Sequence, residues 1–233
     1  NGGACALGHP IGASGARIGV GSITAGSSYD IKNEGTDWSS TLTAVRLSVD
    51  PTTRALVQSD FWEASARLPS AASRRIFFTR SGQTHDFSTA TVTLADLCSK
   101  TAQNPGMLVC DDVVARTSVT NAGAVAYLRG DTSGEKRNGG RLRDRTTRLG
   151  DIINSTPVIT SPIDDFGYRR FGGTLETSYQ NFLDDKSAKA QYMVYAGAND
   201  GMLHAFNGGM KGDGSVVAGG GTEAFAYIPS TSL

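Results

Sequence analysis

The chain has 233 residues, of which 29 are glycine and 19% are charged, and 22 lysines and arginines balance 22 aspartates and glutamates. A formal charge of zero argues against electrostatic binding to nucleic acid or to an anionic membrane surface. The glycine content favours a turn-rich β architecture over long helices. No apolar run approaches the roughly 18 residues of a membrane span. The first residue is Asn1 and no signal peptide is visible, so we expect a piece of a longer protein.

The chain opens with NGGACALGHPIGASGAR, a glycine- and alanine-rich stretch unlike the rest of the sequence. This stretch resembles the C-terminal signature of the thiolases, the acetyl-CoA acetyltransferases, and the resemblance stops at residue 18. It implies that His9, in the GHP motif, activates a cysteine nucleophile. Neither cysteine motif of that family occurs here, and Cys5 stands where thiolases carry a small residue. So short a stretch buries no core of its own and cannot hold a base against a nucleophile. We interpret residues 1–19 as a remnant of a fusion or a misassembled gene model.

The segments between residues 20 and 69 carry mixed signals. Residues 20–41 are polar and predict a loop with Trp38 as its large anchor. β-branched residues predict a strand over residues 42–50. Residues 59–69 predict a short helix that Pro69 stops, because three apolar residues share one helical face: Phe61, Ala64 and Leu68.

Further along, residues 74–80 predict a strand with an apolar centre, and residues 92–100 predict one or two helical turns. A helix is predicted over residues 121–131, with Asn121 as its cap. The basic, glycine-broken segment 135–148 has acidic neighbours that offset its charge. We therefore interpret it as a solvated, partly ion-paired connector.

From Leu149 onward the sequence is typical of β structure. MVYAGA and MLHAFN are two apolar runs joined by Asn199, Asp200 and Gly201. This pattern predicts a hairpin with a type I′ turn, which needs positive φ at both central residues. Residues 222–230 supply one more strand. Three consecutive strands with short turns predict the beginning of a β-propeller blade. The NDGMLHAF pattern has no second copy, so we expect about one blade.

The three cysteines, Cys5, Cys98 and Cys110, lack the paired spacing of a zinc site. Cys98 and Cys110 flank a short loop that contains an Asn-Pro-Gly turn. A disulfide between them, formed in an oxidising compartment, would contribute roughly 2–3 kcal/mol. Two separate buried thiols are the alternative. Cys5 is left over in both cases.

The histidines give no sign of a catalytic or metal site. Asp200 and His204 flank the predicted turn, so we assign Asp200 to the turn and His204 to a structural role on the returning strand. His85 is a lone loop histidine. A nucleophile elbow, a phosphate-binding loop and a zinc-protease motif are all absent from the sequence. The residues therefore favour a framework over an enzyme.

Three motifs in the second half, RLGDIINSTPV, VYAGANDGMLHAFN and EAFAYIPS, resemble the C-terminal region of the type IV pilus tip-associated adhesins, the PilC/PilY family. FWEASARL, RRIFFTR and VAYLRGD resemble the segments that precede the first blade in that family. The resemblance runs in order from about residue 29 to the end. It implies a mainly β fold, a partial quinoprotein-like β-propeller with a mixed α/β lead-in region. Residues 20–148 would be the lead-in region, and residues 149–233 the first, truncated blade.

The resemblance also implies a function. We expect a non-catalytic fragment of an adhesin and pilus biogenesis factor, located outside the cell at the pilus tip or on the outer surface of a Gram-negative bacterium. Minor pilins and host or surface ligands would be its partners, with no nucleic acid and no membrane span. Some family members carry a calcium loop of alternating aspartates in a later blade. No such loop occurs here, so we expect no cofactor in this part and calcium only in missing blades. Four aromatic residues would be packing anchors: Trp38, Trp62, Phe78 and Tyr195.

Three alternatives remain open at this point. A thiolase fragment would use His9 as its base. A quinoprotein-type propeller enzyme would need cofactor contacts from several blades, and the sequence offers one at most. A purely structural module differs from an adhesin only in what it binds.

Overall fold

The computed structural model describes residues 13–14, 18–20, 22–32, 37–98, 109–230 and 232. His9 and Cys5 lie outside the described residues. No helix in the described part is both long enough and apolar enough to cross a bilayer.

The first sheet is formed by the N-terminal part of the chain. Its strands are β1 (Ala13–Ser14), β2 (Ile18–Val20), β3 (Ile23–Lys32), β4 (Asp37–Val49) and β5 (Leu56–Glu63). All of its pairs are antiparallel: β3, β4 and β5 form a meander, and β1 and β2 both pair with β3. The strand predicted over residues 42–50 is confirmed as the second part of β4.

The loop predicted over residues 20–41 is wrong. β3 pairs with β4 along its whole length. Its residues are mostly small or polar, yet alternate ones face the interior and are buried: Ile23, Ala25 and Ser27. A sheet face built of small side chains gives little hydrophobic alternation, so the sequence pattern resembled a loop.

The helix predicted over residues 59–69 is also wrong. β5 continues to Glu63, and a 3₁₀ turn over Ser65–Arg67 follows. The buried Trp62 side chain decides this conformation, because its indole N–H donates to the backbone oxygen of Gly208 at 2.9 Å. The spacing of the apolar residues was compatible with a helix and with a strand, and tertiary packing favoured the strand.

The second sheet combines two parts of the chain. Its strands are β6 (Ile76–Arg80), β7 (Gln83–Asp86), β8 (Val158–Thr160), β9 (Gln191–Gly197), β10 (Leu203–Lys211) and β11 (Glu223–Ile228). Their order is β7-β6-β11-β10-β9-β8. Strands β8 to β11 form an antiparallel meander, and the strands predicted in this region are confirmed. The predicted strand at residues 74–80 is confirmed as β6, which pairs in parallel with β11.

Four α-helices are present among the described residues: α1 (Leu94–Leu97), α2 (Cys110–Thr117), α3 (Asn121–Leu128) and α4 (Gly173–Lys189). The predictions of α1 and α3 are confirmed. Thr120, not Asn121, caps α3, because its hydroxyl accepts from the N–H of Gly123 at 3.0 Å. The sequence reading missed α2 and α4.

The α4 region is an excursion between β8 and β9. Along α4 the only buried side chain is that of Tyr179, against which Tyr168 packs edge-on at 5.3 Å between ring centroids. Several large apolar side chains here are exposed: Phe166, Tyr168, Phe171, Leu175 and Phe182.

Two buried clusters hold the molecule together. One unites the two sheets and includes Ile23, Leu42, Trp62, Leu149, Val194 and Phe206. The other surrounds the β6–β11 pair and includes Ile76, Phe78, Val125, Met202 and Ile228. Both clusters contain residues from before and after Leu149. The division of the chain at Leu149 stays a prediction, and the packing crosses it.

Two of the four predicted packing anchors are buried. Trp62 and Phe78 lie in the two clusters. Trp38 is 45% exposed, so its prediction as a packing anchor is wrong. Tyr195 is half-buried, and the neighbouring Tyr192 fills the core instead. Alternation along β9 places Tyr192 and Tyr195 on opposite faces of the sheet.

Candidate functional site

The turn between β9 and β10 is built by Asn199, Asp200 and Gly201. The N–H of Ala198 donates to Met202 O at 2.9 Å, and the N–H of Gly201 donates to Ala198 O at 3.1 Å. Gly201 has φ +84°, whereas Asp200 is not at positive φ. The predicted type I′ turn is therefore wrong. The hydrogen bonds match a three-residue loop that ends in a left-handed glycine.

The carboxylate of Asp200 turns back toward the returning strand β10. Its oxygens accept from the N–H groups of Met202 and Gly150 at 3.1 and 3.2 Å. They also lie 3.1 and 3.2 Å from Nε2 of His204, which is fully buried. The sequence reading assigned Asp200 and His204 separate roles, and the structure brings them together.

His204 is held from the other side by Glu223, the first residue of β11. Its Nδ1 lies 2.8 Å from Oε1 of Glu223. Glu223 in turn accepts from Nε and Nη2 of Arg74 at 2.7 and 2.8 Å, a two-pronged pair whose side chains are both buried. Asp200, His204, Glu223 and Arg74 thus form a continuous chain of ionisable groups, called here the charge network.

The charge network joins residues from both sides of Leu149. Arg74 lies two residues before the start of β6. Its Nη1 donates to the backbone oxygen of Arg129 at 3.0 Å. The Arg129 guanidinium donates to the backbone oxygens of Ala71, Phe87 and Arg74. Two arginines therefore fasten the start of β6, the end of β7 and the end of α3 to one another.

Electrostatics fix the protonation of the charge network. Burial alone lowers the pKa of His204, but the charges and hydrogen bonds of Asp200 and Glu223 outweigh it and raise the pKa to about 9. Burial also opposes ionisation of the two carboxyl groups. His204 and Arg74 nevertheless hold the pKa of Asp200 and of Glu223 below their usual values. Two cations and two anions then balance, as buried charges require.

This arrangement does not suit acid–base catalysis. A protonated imidazole that donates from both nitrogens has no lone pair to accept a proton. Neither ring nitrogen of His204 is hydrogen-bonded to a hydroxyl or thiol that it could activate. The network can hold strands together, and its ionised state fits that role.

The other singled-out residues lie in separate settings. Cys98 and Cys110 are joined by a disulfide, with their Cα atoms 5.1 Å apart, and it ties the end of α1 to the start of α2. His85 lies on β7, with its ring 5.5 Å from that of Phe78. His9 lies outside the residues that the structure describes.

Ion pairs anchor the basic segment 135–148. Glu135 is fully buried and pairs with Arg145 at 2.9 Å and with Arg137 at 2.6 Å. Arg143 pairs with the buried Asp37 at the start of β4. The predictions of ion pairing and of a largely solvated connector are both confirmed, because Glu135 is the one buried residue of the segment and most of the others are exposed.

Residues 149–233 match the family model described as the PilY1 beta-propeller domain. This part of the chain is therefore similar to the PilY1 β-propeller family. The match begins at Leu149 and contains strands β8 to β11 together with Asp200, His204 and Glu223 of the charge network.

Proteins similar to this chain carry PilY1 names. A type IV pilus biogenesis factor PilY1 homolog from Xylella fastidiosa is 31% identical over 94% of this chain and 16% of its own length. The type IV pilus biogenesis factor PilY1 of Pseudomonas aeruginosa strain PAK is 32% identical over 83% of this chain and 15% of its own length. The chain thus spans about a sixth of the length of these PilY1 relatives. No solved structure matches the chain significantly.

The calcium that the resemblance implies in other blades stays a prediction. No group of three or more candidate ligand side chains comes together in the described ranges. The carboxylate of Asp213 accepts from the N–H of Ser215, and those of Asp184 and Asp185 pair with Gln180 and Lys189. The carboxylates of Asp200 and Glu223 pair with cationic side chains of the protein, those of His204 and Arg74.

Sequence reasoning missed Glu223 and Arg74. A signal for part of the network was present, because Asp200 and His204 flank one turn and an acidic residue opens the next strand of the PilY1 blade. Arg74 lies 149 residues before Glu223. No local pattern connects two residues so far apart, and only the pairing of β6 with β11 brings them into contact.

Proposed function

We propose that this chain is part of a type IV pilus biogenesis factor and acts there as a non-catalytic framework. The match of residues 149–233 to the PilY1 propeller carries this proposal. The names of the relatives support it, and so does a disulfide of the kind found in exported proteins. The charge network supports a framework, since its histidine is tied to two carboxylates.

We place the framework outside the cell at the pilus tip, where its surface loops contact minor pilins and surface ligands. The exposed aromatic side chains of the α4 excursion are the kind of surface that partner proteins bind. The paired strands β8 and β9, which flank the excursion in the chain, supply rigidity, as loops on a fixed scaffold require.

Deletion of the gene in its own bacterium tests this proposal. We expect pilin sheared from the cell surface to disappear on an immunoblot while total pilin stays constant. The wild-type gene should restore it, and so should Asp185→Ala, which removes only an exposed pair with Lys189. Glu223→Ala should restore less, because it leaves Arg74 and His204 buried without their shared anion. Unchanged surface pilin in the deletion strain would overturn the proposal.

The thiolase alternative is tested separately. The matched relatives are pilus proteins and give no support to it. We expect the purified chain to cleave no acetoacetyl-CoA in the presence of coenzyme A, and we expect His9→Ala to leave piliation intact. Cleavage that His9→Ala abolishes would refute the framework proposal.

A further inference from the structure

The pairing of β6 with β11 joins parts of the chain that are far apart. The two strands are parallel, with Ile76 opposite Ala226 and Phe78 opposite Ile228. The residues between them, including α1 to α4 and β8 to β10, therefore lie inside one large loop that this pair closes.

Side chains reinforce this short pair at both ends. At the entry of β6, Arg74 and Glu223 form their buried two-pronged ion pair, and the N–H of Ala226 donates to Arg75 O at 2.9 Å. At the far end, the Tyr227 hydroxyl donates to Oγ1 of Thr79 at 2.9 Å. Between them, the rings of Phe77 and Phe225 lie 6.5 Å apart.

The direction of the strands decides how the pair responds to tension. The chain enters β6 at Ile76 and leaves β11 at Ile228, and in a parallel pair these two points lie at opposite ends. Tension between them pulls the strands past each other, so every contact of the pair is loaded at the same time. Tension at one end of the pair would instead break the contacts one by one.

We propose that the β6–β11 pair, with Arg74–Glu223 and Thr79–Tyr227 at its ends, is a shear clamp that carries tension and leaves strands β7 to β10 inside its loop unloaded. This clamp follows from connectivity and contacts alone and is independent of the pilus role. Buried charged pairs suit this task, because each charge loses its partner before water can replace it.

Single-molecule force spectroscopy on the full chain tests the clamp. Handles attached through Ser73→Cys and Ser230→Cys load the pair in shear, and handles at Ser73→Cys and Ala218→Cys load it from one end. All three sites are exposed, and Cys5→Ser leaves the disulfide cysteines undisturbed. We expect a severalfold higher rupture force in the first geometry. Equal forces would overturn the proposal, and this comparison keeps every clamp side chain intact.

The order of events gives a second readout. In the shear geometry we expect no extension before rupture, and then one step that releases the chain between the handles at roughly 3.6 Å per residue. The disulfide withholds its own loop, which has a sequence separation of 12. Stepwise lengthening at low force before the main rupture would show that the interior is loaded and would refute the clamp.

A matched pair of variants assigns the force to the ion pair. The double variant Arg74→Met with Glu223→Gln removes the pair without leaving either charge alone, whereas Asp185→Ala removes an exposed pair on α4. We expect the double variant to lower the rupture force in shear but not in the one-end geometry, and Asp185→Ala to change neither. A double variant that folds, melts cooperatively and keeps the full shear force would contradict the role given to Arg74 and Glu223.

Discussion

His204 carries a charge that its surroundings both oppose and require. Its ring is fully buried, which disfavours the cation, yet carboxylates lie within hydrogen-bond distance of both nitrogens. Removing the proton would leave Asp200 and Glu223 facing a neutral ring, with only Arg74 to compensate them. The protonated state of one residue therefore contributes to holding two strands and a turn in place.

The stability of the protein should fall as the pH rises. The pKa of His204, about 9 in the folded protein, lies above its value near 6.5 in an unfolded chain. Its contribution is complete below pH 6.5 and is lost as the pH rises through 9. We expect the free energy of unfolding to drop by on the order of 3 kcal/mol between these limits, at about 1.36 kcal/mol per pKa unit. Urea unfolding at a series of pH values measures it.

His204→Gln is the control for this dependence. It removes the titrating group but leaves His9, His85 and Cys5, so the difference between the two proteins isolates His204. We expect the variant to be less stable at pH 6.5 and to lose little more up to pH 9. An identical fall in both proteins would contradict the protonated state of His204. The pKa values of Asp200 and Glu223 are lowered in the folded protein, so their contribution to stability is lost as the pH falls into the acid range.

At the scale of the elements, the turn between β9 and β10 depends on the loop that leads into β8. Gly150 packs against this turn so closely that an added Cβ would lie 2.7 Å from the backbone nitrogen of Asp200 and 2.8 Å from its Cβ. The N–H of Gly150 also donates to the Asp200 carboxylate. Glycine is required here by close approach, because a side chain would displace Asp200 from His204.

Gly150→Ala should therefore destabilise the protein by about 1–3 kcal/mol through overpacking. Gly197→Ala on β9 is the matched control, because its Cβ would meet only the Ser155 side chain, at an ordinary 3.4 Å. We expect that control to change the free energy of unfolding by less than about 1 kcal/mol. The midpoint of urea unfolding measures both, and equal effects would refute the contact between Gly150 and Asp200.

The disulfide between α1 and α2 gives a prediction at the same scale. In protein exported to an oxidising compartment, we expect one reactive thiol, that of Cys5, after unfolding without reductant, and three after reduction. Reduction should lower the free energy of unfolding by roughly 2–3 kcal/mol, because the unfolded chain gains freedom. Cys5→Ser should show no thiol before reduction and two after it. Three thiols in the unreduced protein would contradict the disulfide.

For the whole molecule, local signals predicted the meander well. The alternating runs of β9 and β10, the Asp-Gly step between them and the final strand β11 all carry short-range patterns, and each was found at its predicted place. The glycine of the turn followed from sequence, whereas the turn type did not. In the structure, the carboxylate of Asp200 contacts His204 and Gly150, and Asp200 does not have the positive φ that a type I′ turn requires.

What the sequence could not predict depends on partners far along the chain. β3 has small, polar residues and is a strand only because β4 pairs with all of it. β5 had a helical spacing and was decided by the contact of Trp62 with Gly208. The charge network joins residues from three separate regions, and the propensity of any one of them contains no information about the others.

Strand β6 comes from the part of the chain before Leu149 but lies beside β11, so the protein cannot be cut at Leu149 without exposing a sheet edge. A polypeptide beginning at Leu149, where the family match begins, would keep β8 to β11 but lose the strand that lies beside β11. The backbone groups of β11 on that side would then be open to the same strand of another molecule. Glu223 would face them without Arg74. Such a piece should self-associate edge to edge, so the smallest unit that can be transplanted as a monomer extends back beyond Arg74.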